Sequence, residues 1–227
     1  MDDARVRAAF LVTDAEDQTS FEGVPFATMT LLSSTRFVSD LDPQKKGDGI
    51  EGGGMFMLGC VSRVALPSKY GRDGLYVEII SQTAPGTVFR LVNVHLDSLW
   101  DTLSYRVQQV KMLADVLREP GCGGGIIAGD FNAISPKDEG LIDENDLVDA
   151  WVALHGRAGP SGATWGVGVE RQDGLGPGRL DKVTMMGLKA EEMEVFRPGR
   201  IEVPRPGKES IELPWSDHYG LRCTFIV

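Results

Sequence analysis

Two runs rich in branched and aromatic residues, Asp73–Ile80 (DGLYVEII) and residues 88–96 (VFRLVNVHL), are joined by a short connector containing Thr83-Ala-Pro-Gly-Thr87. That connector is too short for the crossover of roughly a dozen or more residues that parallel neighbours need, so the pair is predicted to be an antiparallel hairpin. Leu103, Val107, Val110, Ala114 and Leu117 then recur three or four apart, which places one apolar face on a helix. Asp101 is expected to cap its start, and Pro120-Gly121 to end it. A buried strand over 125–128 leads into the polar turn Gly129-Asp130-Phe131-Asn132. Leu147, Ala150, Trp151 and Leu154 mark a shorter helix closed by Gly156, and residues 157–178 read as a loop. Residues 180–186 and 221–227 are expected strands. Earlier in the chain, residues 4–10 read as the end of a helix, 26–32 (FATMTLL) as a strand and 40–54 as a Gly-rich loop. Hairpins mixed with covering helices predict an α/β sandwich of two sheets, not a doubly wound parallel sheet.

At 227 residues the chain suits one domain with one large core. No stretch approaches the roughly 20 apolar residues that cross a bilayer, so no membrane association is expected. The opening MDDARVRAAF lacks a basic segment followed by an apolar one, and an intracellular protein is expected. Cys60, Cys122 and Cys223 lie far apart without CxxC spacing, which argues against a disulfide framework or zinc site and predicts three small core residues. A net charge of −10 points away from a broad basic surface for nucleic acid. It leaves room for a phosphate-handling enzyme whose positive charge comes from a bound cation.

Short polar groups stand where apolar strands end: His95 in NVHLDS, Asp130 and Asn132 in AGDFNAI, Asp181 in RLDKV, and Asp217-His218 in WSDHYGL. Each alone has an ordinary structural reading. A strand-end His is more often a hydrogen-bonded structural residue, and Gly-Asp-x-Asn can be a turn whose side chains bond their own backbone. Together they could supply metal ligands, a water-activating base and phosphate donors in one cleft. There is no GxSxG elbow and no GxxxxGK[ST] loop. The glycines at 51–54 and 121–125 lack a nucleotide-loop context and read as flexible linkage.

The stretches LVNVHLDS, GIIAGDFNAI, ATWG, RLDKV and PWSDHYGL occur in the order and approximate spacing of the endonuclease/exonuclease/phosphatase (DNase I-like) family, which the chain resembles over about residues 26–227. It is most similar to the tyrosyl-DNA phosphodiesterase type two branch and its fungal relatives, through HLDSLWDTLSYRVQQVKML, DLVDAWVALHG and SDHYGLRC. The resemblance implies a four-layer sandwich of two mostly antiparallel sheets flanked by helices. It implies that His218 stabilises charge on the scissile phosphate and that Asp181 orients His218. Asp130 and Asn132 would hold and activate the attacking water, and His95 would donate to a phosphate oxygen. Asp217 would sit at or beside Mg²⁺, with Mn²⁺ as an alternative ion. Ser98 would contact phosphate, and Trp165 the base or leaving group. The implied partner is a DNA end carrying a covalent tyrosyl or protein adduct. The implied setting is DNA repair by a monomer in the nucleus or cytoplasm.

Two features depart from the family. Its opening strands carry an Asn and a Glu that binds magnesium, and Met1 falls after both, so a single N-terminally truncated domain over 1–227 is expected. Asp2, Asp3, Asp14, Glu16 and Asp17 lack the expected strand context. The branch also has an Arg soon after GDxN, where this chain reads AISPKDE and offers Lys137. Two other readings stay open: a phosphatase or phosphodiesterase of a small phosphorylated molecule or lipid headgroup, and a catalytically impaired phosphate-binding remnant.

Overall fold

The computed structural model describes residues 3–14, 26–39, 56–81, 86–157, 162–168 and 176–226. A short helix α1 (Ala4–Ala9), capped by the Asp3 side chain, runs into strand β1 (Phe10–Val12). Strands β2 (Leu31–Ser33), β3 (Phe37–Ser39), β4 (Phe56–Ala65), β5 (Asp73–Ile80) and β6 (Val88–His95) follow. Helix α2 (Leu103–Leu117), β7 (Cys122–Asp130), α3 (Pro136–Glu144), β8 (Val148–Asp149) and α4 (Ala150–His155) form the middle of the chain. It ends in β9 (Asp181–Met186), β10 (Lys189–Phe196), β11 (Arg200–Arg205), β12 (Lys208–Pro214) and β13 (Gly220–Ile226).

Seven strands make the main sheet in the order β3-β4-β5-β6-β7-β9-β8. The expected hairpin is there: β5 and β6 pair antiparallel from Gly74↔Val94 to Ile80↔Val88. One face of the sheet presents Val92, Val94 and Ile127 to the apolar faces of α2 and α3, with Leu113, Leu117, Leu141 and Ile142 fully buried between them. The period of two along each strand sends the next residues to the other face. There Ile126, Ala128, Val183 and Met185 pack against α4 and the β10–β13 pair, and Leu91 and Val77 against Leu11 and Leu32. Sheet therefore packs on sheet on one side and helix on sheet on the other, as predicted.

Several local readings need correction. The glycines before Ile126 are not a flexible linker. They belong to β7, where a Cβ on Gly125 would meet the Arg90 carbonyl oxygen at 2.1 Å, so glycine lets β6 approach. Asp101 does not cap α2, since Lys69 binds its carboxylate at 2.6 Å and Thr102 occupies the cap position. The buried face of α2 includes Arg106 and Gln109, while Val107 is exposed. Residues 26–30 are not strand; only Leu31–Ser33 pairs, with β1. Cys60 is exposed and Cys122 and Cys223 half-buried, so the cysteines are free but are not all core. The loop expected over 40–54 lies outside the described residues, as do Asp2, Glu16 and Asp17. Asp3 caps α1, and Asp14 pairs with Arg63 at 2.8 Å. Among the described residues, no helix is long and apolar enough to cross a membrane.

Candidate active site

Register brings three of the predicted residues into one row. Strand β6 runs parallel to β7 with His95 opposite Asp130, and β7 runs antiparallel to β9 with Asp130 opposite Asp181. Three neighbouring strands thus end at the same level. The odd and even positions assigned to each face put all three side chains on the side that carries the second sheet. His95 Nε2 stands 3.5 Å from Asp130 Oδ2. His218, on the segment entering β13, closes the row: its Nδ1 and Asp181 Oδ2 share a hydrogen bond of 2.7 Å. Buried Thr164 ties this corner together, because its Oγ1 accepts from Asp181 N–H at 3.1 Å and its carbonyl from Tyr219 N–H at 2.6 Å. Trp165 bridges to both Gly178 and His218 through its backbone.

Asn132 comes in by a tight turn. Its backbone N–H donates to Asp130 Oδ1 at 2.8 Å, and its φ of +48° lies in the left-handed region that asparagine tolerates. The self-bonded turn considered from sequence is therefore real, and it is also what aims Asp130. Asn132 Nδ2 donates to the Leu96 carbonyl at 2.8 Å, which fixes the amide against the end of β6. The neighbouring Asp97 is fully buried and accepts from Ser68 Oγ and, at 2.7 Å, from Lys69 N–H. It holds the turn before β5, and Ser98, the next residue, is half-buried with its carbonyl accepting from Thr102 Oγ1 at 2.5 Å.

The electrostatics divide the row into distinct groups. Burial, with help from Arg72 and His218, pushes His95 down to about 4, so it is neutral at pH 7. Burial and the facing Asp181 push Asp130 up to about 6, where a carboxylate can still take a proton. The Asp181 hydrogen bond raises His218 above the ordinary imidazole value. A neutral donor, a base and an imidazole whose hold on its proton is strengthened therefore share one cleft.

Sequence reasoning missed Arg72. It is 4% exposed, its guanidinium lies 4.1 Å from the Phe26 ring centroid, and its Nε and Nη1 have no hydrogen-bond partner among the described residues. It is charge-coupled to both His95 and Asp130. Its only sequence signal was an arginine at the turn ahead of a strand. Lys137 lies exposed on the first turn of α3. Asp217 is exposed and lines a neighbouring cavity of about 550 Å³ with Arg197, Trp165 and Tyr219. Among the described residues, no three His, Cys, Asp or Glu side chains gather as a metal site. They do not complete the donor set for the expected magnesium.

No protein-family model matches the sequence, and no curated protein matches it. Solved structures do match in shape. Truncated Caenorhabditis elegans TDP2 superposes with a TM-score of 0.63 at 20% identity, covering 98% of this chain and 77% of that one. D. rerio TDP2, solved with a single-strand DNA product, gives 0.62 at 16% identity over 98% of this chain and 79% of that one. An endonuclease/exonuclease/phosphatase family protein from Bacteroides thetaiotaomicron gives 0.52 at 14% identity over 74% and 66%. The fold is the DNase I-like fold of these proteins. The sandwich expected from the sequence resemblance is thereby shown, and the His95–Asp130–Asp181–His218 row lies within it.

Proposed function

We propose that the chain is a phosphodiester hydrolase that removes 5′-tyrosyl adducts from DNA ends. The observation that carries the reading is the single row in which His95, Asp130 and Asp181 align and Asp181 holds His218. Asp130, aimed by the Asn132 turn, accepts a proton from water as its oxygen attacks phosphorus in line. His218, oriented by Asp181 and with its pKa raised by that hydrogen bond, donates to a non-bridging oxygen as negative charge builds there. Neutral His95 donates its one N–H to a second oxygen, and the unpartnered nitrogens of Arg72 supply further donors. The bond from phosphorus to the tyrosyl oxygen breaks, the phenolate takes up a proton, and a 5′-phosphate remains. Trp165 and Ser98 flank this centre as substrate contacts. The single-strand DNA product bound to the D. rerio protein of the same fold supports a polynucleotide substrate.

The test is a rate comparison of a 5′-tyrosyl oligonucleotide, an abasic duplex and an inositol phosphate, each with Mg²⁺ and with chelator. The tyrosyl oligonucleotide is expected to be cleaved fastest. Preference for inositol phosphate would favour the small-molecule reading, which the net charge of −10 suits better. Equal rates with and without chelator would remove the magnesium requirement carried over from the resemblance.

A further inference from the structure

We propose that Thr164 is a positioning residue: its hydroxyl holds Asp181 against the segment that carries His218 and so sets the geometry of that pair. Its influence on rate rests on the phosphodiesterase reading above. Asp181 opens β9 in the seven-stranded sheet, whereas His218 enters β13, which pairs with β10 in a separate two-stranded sheet. Their 2.7 Å hydrogen bond therefore crosses from one sheet to the other. Apolar packing between two sheets fixes their spacing but tolerates small slides that a hydrogen bond does not. Something else must lock the two segments together here.

The strand register shows why a side chain does it. Phe131 N–H donates to the Leu180 carbonyl at 2.9 Å, so Asp130 and Asp181 face each other as the pair that exchanges no ladder bonds. The Asp181 N–H thus points away from β7. On that side the neighbour is β8, whose pairing stops at Asp149↔Thr184, short of Asp181. Thr164 Oγ1 takes the place of the missing strand and accepts from Asp181 N–H at 3.1 Å. The Thr164 carbonyl accepts from Tyr219 N–H, the residue after His218, at 2.6 Å. One fully buried residue is therefore bonded to both segments, and its branch at Cβ restricts the rotation of the hydroxyl.

Thr164 acts through Asp181 and touches no substrate. The Asp181 carboxylate accepts from His218 Nδ1, which leaves Nε2 to face the phosphate. Without the Thr164 hydroxyl, the start of β9 is released from the His218 segment, and the ring loses the orientation that the reaction needs. Valine in place of Thr164 has nearly the same shape. It keeps the backbone bonds to Tyr219 and, at 2.9 Å, to the Gly178 carbonyl, and it removes only the link to Asp181.

The first measurement needs no substrate. The His218 Nδ1–H, bonded to a carboxylate, gives a low-field proton NMR signal, assigned by its loss in His218→Gln. In Thr164→Val that signal is expected to broaden and move upfield, and in Thr164→Ser to return close to its wild-type position. On the 5′-tyrosyl oligonucleotide, Thr164→Val should lower kcat by about tenfold or more with KM changed less than about twofold, and Thr164→Ser should recover most of the rate. In an Asp181→Asn background, where the pair is already broken, Thr164→Val should cost no further rate. The inference is overturned if wild type lacks the signal, if the signal is the same in Thr164→Val, if serine fails to restore it, or if valine costs as much rate in the Asp181→Asn background as in wild type. Circular dichroism matching wild type excludes misfolding, and Thr164→Ala takes the place of the valine variant if that does not fold. A signal that moves as expected in a protein inactive on the oligonucleotide sinks the phosphodiesterase reading alone. Turnover by a Thr164→Val protein with an unmoved signal sinks the positioning role alone.

Discussion

Arg106 and Arg72 are buried in this molecule in opposite ways. Arg106, on the helix-covered side of the main sheet, is 1% exposed and makes five hydrogen bonds, two of them a fork onto Asp138 at 2.7 and 3.2 Å. Arg72, at the strand ends, is 4% exposed, with Nε and Nη1 unpartnered among the described residues. Burying a guanidinium is costly unless its donors are satisfied, so the first arrangement is structural and self-sufficient. The second is offset only by the nearby carboxylates of Asp97 and Asp130, without a hydrogen bond to Nε or Nη1 among the described residues. Arg106 holds the loop from Asp97 to Thr102, and Arg72 keeps two donors open beside His95 and Asp130.

The comparison breaks first at Asp130. Asp130→Asn keeps the shape but removes the base, so turnover should fall by about 10²–10⁴-fold. Because the folded carboxyl sits at about 6, its ionisation opposes folding as pH rises from the ordinary carboxylate range through 6. The same variant should therefore be more stable at pH 7, by about 2 kcal/mol in urea unfolding. In the wild type, kcat/KM should rise through pH about 6 and fall again at the higher pH where His218 loses its proton. An Asp130→Asn protein that keeps its turnover would mean that this row is not the catalytic centre.

The next effect sets the two arginines directly against each other. Arg106→Met strands Asp138, whose side chain is 2% exposed, and should cost about 3–5 kcal/mol of stability. Arg72→Met removes an incompletely satisfied charge and its contact with Phe26. It should shift stability by less than about 1 kcal/mol while lowering turnover by about tenfold or more. Equal losses of stability in the two variants would erase the distinction between structural and waiting arginines.

The same contrast explains what could be read from the sequence. Strand ends bearing His95, Asp130, Asp181 and His218 were legible because polar residues stood out against apolar runs. The row itself was not, since it depends on β6 pairing parallel with β7, a long-range register that no local pattern encodes. Helix α3 escaped because its buried face shows only two adjacent apolar residues, Leu141 and Ile142, too few for a period; its real signal was the capping box of Ser135 and Asp138 behind Pro136. Strands β11 and β12 escaped because they are exposed, carry charges and include Pro204. Arg72 and Arg106 look alike in sequence, and only the partners assembled by the fold tell them apart.

The smallest effect tests the Asp181–His218 pair at the strand ends, whose side chains are 20% and 27% exposed. Asp181 raises His218 above its unfolded imidazole value. The stabilisation is therefore fully present below that ordinary value and is lost as pH rises through the higher folded one. Partial exposure and solvent screening keep it on the order of 1 kcal/mol. Urea unfolding of wild type and Asp181→Asn across pH 5 to about 9 should show a gap that is widest at the acidic end and closes as His218 becomes neutral. Turnover should fall by far more than this stability difference, because Asp181→Asn also frees the ring that must meet the phosphate. A gap that widens with pH would reverse the direction in which Asp181 shifts His218.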